Sequence, residues 1–265
     1  MTGFIPFFIL VGAAISIPVF RFIQRGAGIA WLFAVTFSLA SWISTLVLKS
    51  SLPFSFSGHV WSNLGIGILF PFFEFNLINW PFVFMIPAIV CGTLISSSIR
   101  LSIDGNFKEW IGILIIGAIG ILGSMAGNLI TIIMVFGLLD IFELFIFIFL
   151  NEDNTIEQKK FYLYNFWRFA GLVIFLLGLA YQFSIIGYAN EWDTIGKSTT
   201  HFVILSCLLR LRILPFNALT GKPGKSQNSL FVSRYLISFL LVISVLYKIP
   251  FQAEITVWNT ILLGY

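Results

Sequence analysis

Charge is the scarcest resource in this sequence. Only 10% of its 265 residues are Asp, Glu, Lys or Arg, against roughly 25% in an ordinary soluble domain. A water-soluble fold of this length could not cover its surface with so few ionic groups. The few basic residues sit in short separated stretches, so no continuous stripe exists for a nucleic acid backbone. There are two cysteines, Cys91 and Cys207, both inside apolar runs. They read as small buried hydrophobes rather than a disulfide. No CxxC or His–Cys cluster occurs, and His59 and His201 lack ligand-like spacing. No metal site, iron–sulfur cluster or other bound cofactor is implied. Gly-rich phosphate-binding motifs are also missing.

What fills the chain instead is hydrophobic residue, 58% of the total, with 31 Phe and 8 Trp. The bilayer is the solvent that tolerates this composition. A spanning helix needs about 20 mostly apolar residues. Such runs fall at 3–20, 28–48, 78–99, 110–126, 128–150, 167–189, 201–217 and 229–247. The fold class is therefore an all-α integral membrane protein with about eight transmembrane helices. The first run precedes Arg21 and Arg25 rather than following a basic stretch, so it reads as a retained helix, not a signal peptide. The long run 111–150 divides at Gly123, Gly127 and Asn128. Residues 60–75, interrupted by Gly, Pro71 and Glu74, read as an extramembrane hairpin or interfacial segment. The apolar tail 249–265 is expected to lie along the interface or against a neighbour.

Loop charge sets the expected orientation. Arg21, Arg25, Arg100, Lys108, Lys159, Lys160, Lys222 and Lys225 fall on one side; Lys49, Lys197 and Lys248 fall on the other. The richer side is expected inside, which places the amino terminus outside.

Ionisable residues within apolar runs carry the functional signal, because a charge at the bilayer centre costs at least ~2.5–3.5 kcal/mol. Asp140 and Glu143 lie three apart in VFGLLDIFELFIF, on one helix face. Arg210 and Arg212 lie in ILSCLLRLRILPFN, and Pro215 is expected to break that seventh helix near mid-membrane. These residues fit either part of a proton path or a structural buried ion pair with a snorkelling guanidinium. Arginine favours the second, since it does not exchange protons as lysine does. Arg168, near the expected start of the sixth helix, reads as an interfacial anchor.

Three segments resemble the antiporter-like membrane subunits of respiratory complex I, a group shared with multi-subunit Na⁺/H⁺ antiporters and membrane-bound hydrogenases. They are FEFNLINWPFVFMIPAIVCGTLISSSIRLSIDGN, GSMAGNLITIIMVFGLLDIFELFIF and LSCLLRLRILPFNALTGKPGKSQNSLFVSRYLISFLLVISVLY. The resemblance implies three first helices over 1–107, one five-helix half-channel repeat over 108–248, and the tail 249–265. It implies a membrane-arm subunit of a complex I-type NADH:quinone oxidoreductase, contributing to or derived from proton translocation, with no catalytic centre or cofactor of its own. The alternatives are a non-transporting structural membrane subunit, or one half of a split antiporter-like subunit in a respiratory or hydrogenase complex. A stand-alone secondary transporter fits less well with a single repeat. The implied partners are lipid, other membrane subunits of a large respiratory complex, and a chain supplying a second repeat. The implied location is an energy-transducing membrane, either the mitochondrial inner membrane or a prokaryotic plasma membrane. Two departures stand out. The family's fifth-helix glutamate position falls on Gly137, one turn before Asp140, and its seventh-helix lysine position falls on Arg210.

Overall fold

A computed structural model describes residues 2–23, 27–57, 71–97, 107–150, 155–186, 192, 195–211 and 229–249. Without water, each backbone N–H and C=O needs a partner within its own segment, so apolar runs of this length become helices. Eight form: α1 (Ile5–Ile23), α2 (Ala27–Leu48), α3 (Trp80–Ser97), α4 (Phe107–Ser124), α5 (Leu129–Leu150), α6 (Thr155–Ile186), α7 (Lys197–Leu211) and α8 (Ser229–Lys248). Six of them, α1 to α6, contain stretches long and apolar enough to cross a membrane. The chain is a multi-pass membrane protein. The sixth helix begins twelve residues before its expected start. Its apolar part is Asn165–Ile185, and a helix that continues past the apolar stretch leaves no mark in hydropathy. Residues 212–228 and 250–265 lie outside the described residues, and with them the expected break at Pro215, Arg212 and almost all of the apolar tail.

The bundle is built around α4, which packs against α1, α3, α5 and α8. Small residues let it approach its neighbours. A Cβ at Gly120 would stand 2.6 Å from Ile237 Cγ2, and one at Gly123 would stand 2.7 Å from Leu241 Cδ2. The α4–α5 connection is tight, as the glycines and Asn128 lead one to expect. Asn128 Oδ1 accepts the Thr131 amide at 2.8 Å, an N-cap for α5.

Two short strands close one end of the bundle. β1 (Phe54–Ser57) and β2 (Phe72–Phe75) pair antiparallel, with Phe54 opposite Phe75 and Ser57 opposite Phe72. Of the segment 60–75, expected as a hairpin or interfacial segment, only 71–75 are described, and they hold β2; 58–70 lies outside the described residues. β2 continues its pairing onto the α4–α5 turn: Glu74 N donates to Met125 O at 2.7 Å, and Gly127 N to Phe72 O at 2.7 Å. Gly127 has no alternative there, since a side chain would run into the Phe72 ring. Phe4 sets its ring edge-on to Phe54, Phe56 and Phe73. The start of α1, the hairpin, the α4–α5 turn and the end of α8 therefore share one end of the molecule, called below the hairpin end.

Candidate functional site

The two acidic residues singled out in the fifth helix meet three arginines from three other helices. Asp140 and Glu143 are one turn apart on α5, both almost fully buried at 1% and 2% exposure. Arg210 of α7 holds Asp140 with two parallel bonds, Nη1 to Oδ2 at 2.8 Å and Nη2 to Oδ1 at 2.9 Å. Arg168 of α6 lies between the acids. Its Nη2 is 3.2 Å from Asp140 Oδ1, and its Nη1 donates to Glu143 Oε2. Arg234 of α8 brings its Nε against the same Glu143 Oε2.

Polar neighbours complete the cluster. Arg168 Nη2 donates to Ser238 Oγ at 3.0 Å, and Arg234 Nη2 to Asn165 Oδ1 at 3.4 Å. The Phe136 ring lies 4.0 Å from the Arg210 guanidinium carbon, a cation–π contact that covers the face of that group. At 1.5 Å per helical residue, the five charged residues sit about 16–27 Å from the hairpin-end termini of their helices. In a hydrocarbon core of about 30 Å, that places them from the midplane toward the opposite end.

Of the residues singled out in the sequence, Asp140, Glu143 and Arg210 are brought together, while Arg212 lies outside the described residues. Two corrections follow. The Arg210 guanidinium does not snorkel; its residue is 3% exposed and it is folded onto Asp140. Arg168 is not an interfacial anchor: it is 1% exposed and bonded to both acids. The early start of α6 is the reason, since Thr155 puts Arg168 more than three turns inside the helix. Arg234 was missed, although a lone arginine in LFVSRYLISF carries the same signal that drew attention to Arg210.

The five groups differ in what they can do. Both oxygens of Asp140 accept from guanidinium groups, whereas Glu143 is held through Oε2 and its buried Oε1 makes no hydrogen bond among the described residues. Arginine stays protonated, so none of the three cations can pass a proton on. Planar forks on buried carboxylates fix geometry, and together they tie α5, α6, α7 and α8 to one another.

A second polar node lies at the hairpin end. The Lys248 ammonium, closing α8, donates to Ser124 O at 2.9 Å and Ala126 O at 2.7 Å. It thereby takes up the carbonyl that ends α4, at Ser124, and one from the turn that follows, at Ala126. Trp192 Nε1 donates to Ala126 O at 3.4 Å. At the other end, Glu109 Oε1 in the first turn of α4 accepts the Leu230 amide of α8 at 3.0 Å. Cys91 and Cys207 are buried free thiols, and His201 is exposed on α7 with Nδ1 2.8 Å from Lys197 O. His59 lies outside the described residues.

No family model matches this chain, and no curated protein matches it. Among solved structures, the fold is similar to that of a chain in the membrane-bound sulfane sulfur reductase, an archaeal respiratory membrane complex. The TM-score is 0.63 at 14% identity, and the match covers 91% of this chain and 39% of that one. The chain thus shares its fold with part of a respiratory membrane complex subunit while spanning about two-fifths of that subunit's length.

Proposed function

We propose that this protein is a membrane-arm subunit of a complex I-type respiratory assembly, NADH:quinone oxidoreductase being the reading the sequence favours. In this reading its buried charges tie helices together, derived from a proton path rather than serving as one. The observation that carries the proposal is the pairing of Asp140 with Arg210. The acid is locked by a bidentate fork, and the cation stands where the resembling subunits place a lysine. A lysine there can lose its proton; an arginine cannot. The shared fold with a respiratory complex subunit supports the membrane-arm role. The loop-charge bias supports an amino terminus on the outer side.

The test is purification of the tagged chain from its own membrane in mild detergent, followed by identification of the chains that come with it. Co-purification with the membrane and redox subunits of an NADH- or hydrogen-oxidising complex is the expected result. Recovery of a monodisperse single-chain species that transports ions in proteoliposomes would overturn the proposal.

A further inference from the structure

Between the charge cluster and the hairpin end, polar side chains disappear from the inward faces of all four helices at the same depth. Residues 132–139 of α5 read IIMVFGLL, 172–180 of α6 read LVIFLLGLA, 202–205 of α7 read FVIL and 239–243 of α8 read FLLVI. Polar groups resume on the hairpin side. Gln182 Oε1 accepts from Thr199 Oγ1 at 2.7 Å and from the Gly196 amide at 3.1 Å, and Asn128 meets Thr131 at the start of α5.

Three contacts fix how α6 and α7 lie level. Gln182 touches Thr199; a Cβ on Gly178 would meet Phe202 Cβ at 2.6 Å; a Cβ on Gly171 would meet Ser206 O at 3.0 Å and Arg210 Cγ at 3.3 Å. Phe175 and Val203 therefore stand at one level between the Gln182–Thr199 pair and Arg210. They are 1% and 0% exposed. Phe136 reaches the same place from α5. Its ring centroid is 6.4 Å from that of Phe175 and 4.0 Å from the Arg210 guanidinium carbon.

We propose that Phe136, Phe175 and Val203 form an apolar seal that closes the charge cluster off from the hairpin end. The apolar stretch is about 6 Å long on α7 and about 12 Å on α5. A hydrogen bond spans at most about 3.2 Å between heavy atoms, so no side chain of these stretches hands a proton across. Apolar constrictions of this kind block ions by excluding water. The inference deepens the reading above, because it gives the cluster a closed side as well as fixed charges.

Cys207 provides the test, since it sits one turn beyond Val203 on the cluster side and is 1% exposed. The assembled complex, with Cys91→Ala as background, is placed in sealed vesicles. A water-soluble cationic methanethiosulfonate is added at the hairpin side. The reference thiol is His201→Cys in a Cys207→Ala chain, because His201 is exposed on the same helix. Cys207 should react on the order of a hundredfold more slowly than the reference. Val203→Ala and Phe175→Ala should each raise that rate about tenfold, whereas Val90→Ala, an equal truncation between α3 and α4, should not. Phe175→Leu serves in the same sense if the alanine variants do not assemble. Fast modification of Cys207 without any seal substitution would overturn the proposal. So would an unchanged rate in the assembled seal variants, or an equal rise with Val90→Ala. The labelling reads access to the cluster whichever complex the chain belongs to, so its failure is separate from failure of the co-purification.

Discussion

Replacing Asp140 by asparagine keeps the shape of the side chain and removes its charge. Asp140 is the more heavily engaged of the two acids, with Arg210 bound to both oxygens and Arg168 to one. An asparagine must turn a donor NH₂ toward donors of Arg210 or Arg168. It also leaves Glu143 as the one carboxylate among three guanidinium groups. Breaking a buried pair from one side costs about 3–5 kcal/mol. At about 1.4 kcal/mol per tenfold, that is roughly two to three and a half orders of magnitude in the folded population. Glu143→Gln likewise leaves a single carboxylate, Asp140, among these guanidinium groups, but it should cost less, toward the lower end of the same about 3–5 kcal/mol, because the amide NH₂ can occupy the place of Oε1, which accepts no hydrogen bond among the described residues, and leave an oxygen facing Arg168 and Arg234. The sequence alone leads one to expect Arg210→Lys to be tolerated. The two parallel bonds to Asp140 change that expectation, since an ammonium keeps the charge but loses the fork. Its effect should fall between those of Glu143→Gln and Asp140→Asn. The assay is yield of assembled complex on native gels, set against proton pumping per assembled complex. Asp140→Asn should lower the yield more than the pumping. Normal yield with pumping abolished would refute the structural reading and establish a working proton path, and a larger yield loss in Glu143→Gln would refute the bond-by-bond reasoning.

Three further outcomes test the frame around the cluster. Lys248→Met should lower the melting temperature of the assembled complex, because it strips the ammonium from Ser124 O and Ala126 O and leaves Ala126 O with only the longer Trp192 bond; a buried acceptor that loses its donor costs about 1–3 kcal/mol. Gly120→Ala should destabilise by about 1–3 kcal/mol through overpacking against Ile237, whereas Gly12→Ala, where an added Cβ meets nothing within 4 Å, should be neutral or slightly stabilising in the same thermal assay. A cysteine placed at Thr155 should resist an impermeant reagent added outside sealed vesicles, as the loop-charge bias requires for residues 151–166; rapid labelling would invert the orientation.

How much of this was legible in the sequence depends on the range of the signal. The eight apolar runs give the eight helices, since a membrane segment declares itself locally. The α4–α5 turn was readable because Gly123, Gly127 and Asn128 are local chemistry, and Asn128 caps the helix it precedes. The close approach of β2 to that turn was not readable. It depends on Phe72 meeting Gly127 across more than fifty residues of chain. The beginning of α6 escaped for a different reason: residues outside the membrane can be helical without being apolar. At the site, the shared face of Asp140 and Glu143 follows from their spacing. Which arginines reach them does not, because a lone arginine in an apolar run reads the same whether it snorkels or pairs. Only the rotation of α6 and α8 in the bundle turns Arg168 and Arg234 inward.

That rotation is itself an energetic consequence of the charges. Each of α5, α6, α7 and α8 carries ionic groups too costly to present to lipid and too deep to reach water cheaply. The helices can lower this cost together by turning their charged faces to one another. The apolar residues on the hairpin side of the cluster favour the same rotation, since Phe136 and Phe175 pack inward on the same faces as Asp140 and Arg168. Cluster and seal thus reinforce one helix arrangement, with the salt links supplying direction and the aromatic packing supplying contact area. A substitution on either side should then loosen the other. Cys207 should become more reactive in any Asp140→Asn complex that still assembles, and a Cys207 as protected as in the unsubstituted protein would show the two features to be energetically independent.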